Sequence, residues 1–182
     1  MKYVFCASAL ALLTATALLT ACGGSTAAGN EQKIGSELTI GVENCTAHAG
    51  DKGVPVSVRI WNNPGYTATG LQLVYDPALT PQKTGETSPN SNFPYAKCDL
   101  GEAAQGFMKS CLIGEENHLI AFGAMTSEDC KTNGKMFTVY FDIPNNAASG
   151  QQYKFSCNMD SLNNYNKDHL NPKTVEGTLT IE

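Results

Sequence analysis

Apolar residues recur at every second position in two neighbouring segments of the chain, which read VPVSVRIW and TGLQLVYDP. A period of two is that of a β-strand with one buried face. Between the segments, the sequence NNPG predicts a turn, since Pro64 fixes φ and Gly65 accepts positive φ. The predicted inward side chains of the two strands are Val54, Val56, Val58, Ile60, Leu71, Leu73 and Tyr75.

The same alternation, interrupted by turn residues at regular spacing, continues to the end of the chain and predicts about nine strands. No segment has a convincing helical period, so we expect an all-β, nine-stranded jelly-roll β-sandwich. Between the strands, 87–106 is expected to be a long insertion with at most one helical turn at 99–105, and 127–133 and 160–173 are expected to be loops. The predicted strands are 38–42, 54–61, 66–75, 79–86, 107–113, 118–126, 136–143, 151–158 and 175–181.

The chain begins with a short basic segment and an apolar run that ends in LTAC. This pattern is typical of a secretory signal, and its end resembles a bacterial lipobox; a single membrane-spanning helix is the alternative. The resemblance implies cleavage after residue 21 and a diacylglycerol on Cys22, which would anchor the protein to the outer face of the cell membrane. Residues 23–32 are small and polar, and 22–36 is expected to be a flexible spacer; a disordered start with no mechanical role is the alternative.

Charge and composition bear on possible partners. Removing residues 1–21 takes away Lys2 and leaves 11 Lys and Arg against 17 Asp and Glu, a net charge of −6. The acidic residues are scattered, so the sequence disfavours nucleic acid as a partner. The remaining residues suffice for one folded domain, predicted at 37–182.

Five cysteines remain after Cys6 and Cys22 are set aside, and an odd number in an exported chain predicts up to two disulfides and one buried thiol. An anaerobic habitat would leave them all reduced, and their connectivity cannot be read from the sequence. The histidines do not lie at zinc-ligand spacing from the cysteines, so we expect no metal site. The cysteines are Cys45, Cys98, Cys111, Cys130 and Cys157.

Motifs of catalysis and ion binding are not found in the sequence. It contains no G-x-S-x-G, no H-E-x-x-H and no glycine-rich phosphate loop, so we expect a non-catalytic protein. The oxygen-rich segment between Asp160 and Asp168 lacks the ligand spacing of an EF-hand, and a turn-rich loop is the better interpretation.

The order of the segments AGD-KG-VPVSV, GLQLVYDP, FTVYF and GTLTI resembles that of a cohesin domain over 37–182. Cohesins are jelly-roll modules of cellulosomes and related assemblies that bind the calcium-loaded dockerin module of another protein. The resemblance therefore implies a dockerin partner, calcium on that partner and no cofactor on this chain. The five cysteines and the 87–106 segment depart from the family pattern and leave the dockerin type open.

Cohesins bind through a flat sheet face formed by the third, fifth, sixth and eighth strands, and the resemblance places the partner-binding face on those strands here. On the fifth and eighth strands the register is open by one residue, and a slip would exchange the two faces. Several apolar residues on one outward face favour a docking surface, unless a loop covers them. The candidate positions are Ala68, Gly70, Gln72, Val74, Ser110, Leu112, Gly123, Met125, Thr126, Lys154, Ser156 and Asn158.

Three functions follow from these patterns. The first is a membrane-anchored cohesin, monomeric when unbound, that tethers dockerin-bearing enzymes or scaffolds for cell-surface polysaccharide degradation. The second is a carbohydrate-binding β-sandwich lipoprotein, although Trp61 is the only tryptophan and its outward neighbours Ser57 and Arg59 form no stacking platform. The third is an envelope lipoprotein with a structural role.

Overall fold

The computed structural model describes Gln32 and residues 34–182, which form two packed β-sheets. The all-β sandwich prediction is confirmed. The described residues form fourteen strands: β1 (Thr39–Val42), β2 (Cys45–Ala47), β3 (Val54–Trp61), β4 (Tyr66–Tyr75), β5 (Thr80–Pro81), β6 (Lys83–Thr87), β7 (Pro94–Ala96), β8 (Cys98–Leu100), β9 (Met108–Gly114), β10 (Leu119–Cys130), β11 (Gly134–Asp142), β12 (Gln152–Asn163), β13 (Lys173–Val175) and β14 (Gly177–Ile181). Three of them, β2, β7 and β8, have no counterpart among the nine predicted strands, and the predicted strand 79–86 is divided into β5 and β6.

One sheet has six strands in the order β13-β1-β3-β11-β5, with β8 paired to another part of β11. The other has eight strands in the order β2-β14-β12-β4-β10-β9-β7-β6. Both ends of the domain cross from one sheet to the other, because β1 pairs in parallel with β13 and β2 pairs in parallel with β14. These crossings tie the first and last strands of the domain together at both sheets.

The turn between β3 and β4 carries the chain from the six-stranded sheet to the eight-stranded one. Gly65 has φ of +119°, as the turn requires, and its N–H donates to the side-chain oxygen of Asn63 at 3.0 Å. The Asn63 amide in turn donates to the carbonyls of Cys130 and Thr132. The two strands therefore face each other across the core instead of pairing.

The core lies between the sheets and is filled by the predicted inward residues. In β3 and β4 these are buried throughout, including Val56 and Leu73 at 0% exposure. Phe122 of β10 and Phe137 of β11 stack across the core with ring centroids 3.9 Å apart. Aromatic contacts of this kind join the two sheets directly.

The sequence predicts that 87–106 is an insertion with almost no regular structure, and this prediction is wrong. It contains β7, β8 and a 3-10 turn at Glu102–Ala104, and the last of these lies within the predicted helical turn. Ala96, Cys98 and Ala103 are buried, so the segment contributes to the core. The sequence did not reveal this contribution to the core, because the segment is polar in composition and its inward residues are small and widely spaced.

Two predicted loops are also partly wrong. β10 continues through Cys130, which pairs with Tyr66 after a shift in register beyond Met125. β12 continues to Asn163 past a shift between Met159 and Ser161. A bulge breaks the period of two, and the alternation rule then loses the strand. The rest of the second loop closes on itself, as the Asn164 side chain donates to Asp168 at 2.9 Å.

The predicted signal sequence 1–21 and the lipidation candidate Cys22 lie outside the described residues. Of the predicted spacer, Gln32 is described, and its side-chain amide donates to the carbonyls of Val42 and Glu176 at 2.6 and 2.8 Å. Contacts of the folded domain therefore reach back to Gln32. In the described part of the chain, no helix has the length and apolar character needed to cross a membrane.

Candidate functional site

Four adjacent strands of the eight-stranded sheet, β12, β4, β10 and β9, form one continuous surface directed away from the core. These are the strands on which the sequence placed the candidate face. We call the outward surface of these four strands the outer face. Their hydrogen-bonded register sets outward residues in rows across the sheet, so that side chains far apart in sequence become neighbours.

The register left open in the fifth and eighth predicted strands is resolved by burial. Cys111 and Ile113 of β9 point into the core at 3% and 0% exposure, so Ser110 and Leu112 point outward. In β12 the buried residues are Tyr153, Phe155 and Cys157, which leaves the alternating residues outward: Lys154, Ser156 and Asn158. β4 directs Ala68, Gly70, Gln72 and Val74 outward.

The middle of the outer face carries very small side chains. Gly70 pairs with Gly123, and Gly123 pairs with Ser110, so one row has almost no side-chain volume. A Cβ placed on Gly123 would meet no atom within 4 Å. In the next row, Gln72 of β4 pairs with Ala121 of β10. The centre of the outer face is therefore open and low.

Apolar residues border this low centre. Met125 and Met108 pair with each other on β10 and β9 and are 54% and 71% exposed. At the other end of the strands, Val74 pairs with Leu119, and both are half-buried. Methionines of this exposure are adaptable contact residues, and an apolar surface on adjacent strands is typical of a docking site.

Polar groups lie mainly along the β12 side of the outer face. The Gln72 amide donates to the two carboxylate oxygens of Asp160 at 3.3 and 3.4 Å. Asn158 pairs with Gln72, and Lys154 lies further along β12 beside Thr178 of β14. The outer face thus presents an apolar half on β9 and β10 and a polar half on β12.

Two sets of residues differ from the sequence prediction. Thr126 follows Met125 where the β10 register shifts, so it leaves the row and lines a shallow depression at the end of the face with Asn163 and Tyr165. The prediction omitted three outward residues: Met108, Leu119 and Ala121. They lie an even number of positions from the predicted candidates on the same strands, so the period of two could have identified them. Ser161 was missed because the bulge in β12 changes the parity.

The opposite sheet presents a different surface. Arg59 of β3 forms an ion pair with Glu43 at 2.6 Å, and Lys135 lies 3.7 Å from the same carboxylate. Trp61 also lies on this sheet, where it pairs with Thr39. It follows Arg59 by two residues and is therefore on the same side of β3. The charged pairs make this side a solvated surface, while the outer face carries the apolar residues.

The titratable groups with shifted pKa values lie mainly away from the outer face. Burial raises the pKa of the Cys157 thiol to about 12 and likewise raises that of the Tyr66 hydroxyl. Both are core groups that stay neutral at physiological pH. Among the described residues, no group of three or more His, Cys, Asp or Glu side chains is arranged to hold a metal ion. The geometry of the outer face suits contact with a macromolecule.

The two stacked sheets, with terminal strands that cross between them, have the fold of cohesin domains. The resemblance to cohesins that the sequence predicts is thus confirmed at the level of the fold. No model of a known protein family matches the sequence, and no curated protein matches it significantly.

Three solved cohesins illustrate the similarity. The cohesin of a type I cohesin–dockerin complex from Clostridium thermocellum is 18% identical, with a TM-score of 0.64 over 80% of this chain and 99% of that one. A non-cellulosomal cohesin from Archaeoglobus fulgidus is also 18% identical, with a TM-score of 0.64 over 80% and 91%. A type III cohesin of a cell-surface anchoring scaffoldin from Ruminococcus flavefaciens is 18% identical, with a TM-score of 0.62 over 80% and 88%.

Proposed function

We propose that this chain is a non-catalytic cohesin module that binds a dockerin through the outer face. The observation that carries the proposal is the low, apolar surface of β4, β10 and β9, with two exposed methionines beside a row of glycines. The fold supports it as well, since solved cohesins of the same fold occur in complexes with dockerins.

The shape of the outer face favours a helical or similarly convex partner. Small residues at Gly70, Gly123 and Ala121 let the partner backbone approach closely, and the space above Gly123 is open, since a Cβ there would meet no atom within 4 Å. Met108 and Met125 can adjust their rotamers to the side chains of the partner. Gln72 and Asp160, already hydrogen-bonded to each other, supply donor and acceptor groups beside the apolar contact.

Calcium in this interaction belongs to the dockerin. We therefore expect the complex to form in calcium and to be lost when calcium is chelated, because the resemblance implies that the calcium-loaded dockerin is the form that binds.

Isothermal titration calorimetry of the full chain with a panel of dockerins from the same organism, in calcium and in EDTA, tests the proposal. We expect at least one dockerin to bind in calcium with a dissociation constant below about 1 µM, near −8 kcal/mol, and to show no heat in EDTA. No complex with any dockerin of the panel in calcium would refute dockerin binding.

We also propose that a lipid on Cys22 holds the module on the external surface of the cell membrane. A bound dockerin-bearing enzyme or scaffold would then act on polysaccharide at the cell surface. The support is the sequence LTAC at the end of the apolar run and the polar residues that follow it. Two or more acyl chains, each contributing about 0.8 kcal/mol per buried CH₂, give stable anchoring.

Fractionation of cells that express Cys22→Ser tests the anchor independently of dockerin binding. We expect wild-type protein in the membrane fraction and the variant outside it or as uncleaved precursor. The matched control is Cys6→Ser, which lies inside the predicted signal and should leave the distribution unchanged. Membrane retention of mature Cys22→Ser would contradict the lipid anchor.

A further inference from the structure

Cys98 and Cys111 lie on different sheets but point into the same part of the core. Cys98 pairs with Val139 at the edge of the six-stranded sheet, and Cys111 pairs with Phe122 in the eight-stranded sheet. Their exposures are 8% and 3%. The short strand β7 connects the two regions. Its residue Tyr95 lies three residues before Cys98 and pairs with Leu112, the residue that follows Cys111.

The two thiols lie close enough in the core for each to shift the pKa of the other. The Lys109 ammonium holds the neighbouring backbone by donating to the carbonyl of Cys98. The interaction with Cys111, with a contribution from the Lys109 charge, lowers the pKa of the Cys98 thiol, whereas the same interaction raises the pKa of Cys111. The Cys98 thiol is therefore the better nucleophile of the pair.

The other three described cysteines have different surroundings. The Cys130 thiol donates to the carbonyl of Ala103 at 3.2 Å. Burial is the main influence on Cys45 and Cys157, and it raises the pKa of each to about 12. All five described cysteines are free thiols in the structure, so the disulfides predicted from the cysteine count are not formed in it.

We propose that Cys98 and Cys111 are a disulfide-forming pair, oxidised by thiol–disulfide exchange with a protein disulfide or a low-molecular-weight disulfide. The Cys98 thiolate attacks one sulfur of the oxidant, forms a mixed disulfide and releases the first oxidant thiol. The Cys111 sulfur, after losing its proton, then attacks Cys98 Sγ and releases the second. Two protein thiols become one disulfide, and one oxidant disulfide becomes two thiols.

The resulting bond would join the two sheets beside the outer face. It would close a loop of 14 residues from Cys98 to Cys111, which includes the 3-10 turn and the start of β9. Closing such a loop restricts the unfolded chain and so stabilises the folded one.

Peptide mapping of the full chain tests the pair directly. Native reduced protein is incubated with oxidised glutathione, and in a second arm the reduced, denatured chain is refolded in a glutathione redox buffer. Remaining thiols are then alkylated in denaturant. Cleavage after Lys, Arg and Glu places Cys98 in CDLGE and Cys111 in SCLIGE. We expect these two peptides to be joined, with a mass two hydrogens below the sum of the reduced peptides.

Two variants and a thermal measurement complete the test. Cys111→Ser should lose the linked peptide, and the matched control Cys157→Ser should keep it. The oxidised wild type should melt about 6–12 °C above the reduced form. If neither arm yields the linkage, or if Cys98 and Cys111 pair with other cysteines instead, the proposal is overturned.

Discussion

The Tyr66 hydroxyl donates a hydrogen bond of 2.7 Å to the carbonyl of Ala103, in the 3-10 turn that precedes β9. Both residues are completely buried, and the Tyr66 ring packs against Phe107 with centroids 5.2 Å apart. Since burial raises its pKa, the hydroxyl remains a neutral donor throughout the physiological range. This contact attaches the 87–106 segment to the core.

Tyr66→Phe should destabilise the protein by about 1 kcal/mol, because the Ala103 carbonyl loses a buried donor but keeps the Cys130 thiol. Urea denaturation measures the change. The matched control is Tyr165→Phe, whose side chain is 67% exposed and should leave stability unchanged. Equal stabilities of the two variants would show that the buried hydrogen bond contributes nothing.

Glu102 makes the stability of the same turn depend on pH. Its pKa lies below the ordinary value of 4.5 because the backbone N–H groups of Glu102 and Lys135 donate to the carboxylate. The Lys135 bond is 2.9 Å long. A lowered folded-state pKa stabilises the protein above the unfolded pKa, and the contribution is lost as pH falls through the folded pKa.

Glu102→Gln should therefore lower stability at pH 7 by less than about 1 kcal/mol, since the carboxylate is exposed and screened. The difference from wild type should shrink between about pH 5 and pH 3. Thermal melts across this range measure it, with the exposed Glu116→Gln as control. A difference that stays constant with pH would show that the charge of Glu102 is not involved.

At the scale of the elements, regular alternation was sufficient to predict most strands from the sequence. The inward residues of β3 and β4 occupy the predicted positions, and most other predicted strands overlap strands of the structure. The ends of β10 and β12 could not be predicted because each contains a register shift that breaks the period of two. Likewise, β7 and β8 have three residues each, too few to show a period.

The stacked pair Phe122 and Phe137 links the sheets, with rings inclined by 14°. Phe122→Ala should destabilise the protein by about 3–5 kcal/mol, because it leaves a cavity between the sheets. Chemical denaturation checks this, with Phe93→Ala as control. Phe93 is 50% exposed, so its loss should cost no more than about 0.5 kcal/mol. Similar small effects of both substitutions would contradict the role of the stack.

For the whole molecule, the sequence predicted the sandwich and the strands that carry the outer face. It could not settle the register of β9 or β12 alone, because both faces of β9 are partly apolar and a single slip exchanges them. The burial of alternate residues resolves that choice, and pairing with β10 and β4 sets Gly70, Gly123 and Ser110 in one row. Contacts between distant segments, which no local pattern contains, therefore define the candidate site.

The outer face and the opposite sheet differ in character. The outer face exposes apolar side chains, with Met108 at 71% exposure, whereas the opposite sheet carries the Arg59–Glu43 ion pair. A partner that covers the outer face gains apolar burial at little cost in displaced side chains, because the centre is already low.

The central claim is that a dockerin binds over the glycine row, and Gly123→Arg tests it most directly. An added Cβ at Gly123 meets nothing within 4 Å, so the arginine should fold normally and stand in the path of the partner. Gly35→Arg is the matched control, since a Cβ there is equally unobstructed and Gly35 adjoins β1 and β13 at the edge of the six-stranded sheet. With a dockerin that binds wild type in calcium, we predict at least about 100-fold weaker binding by Gly123→Arg and unchanged binding by Gly35→Arg. Equal affinities of both variants and wild type would contradict the claim.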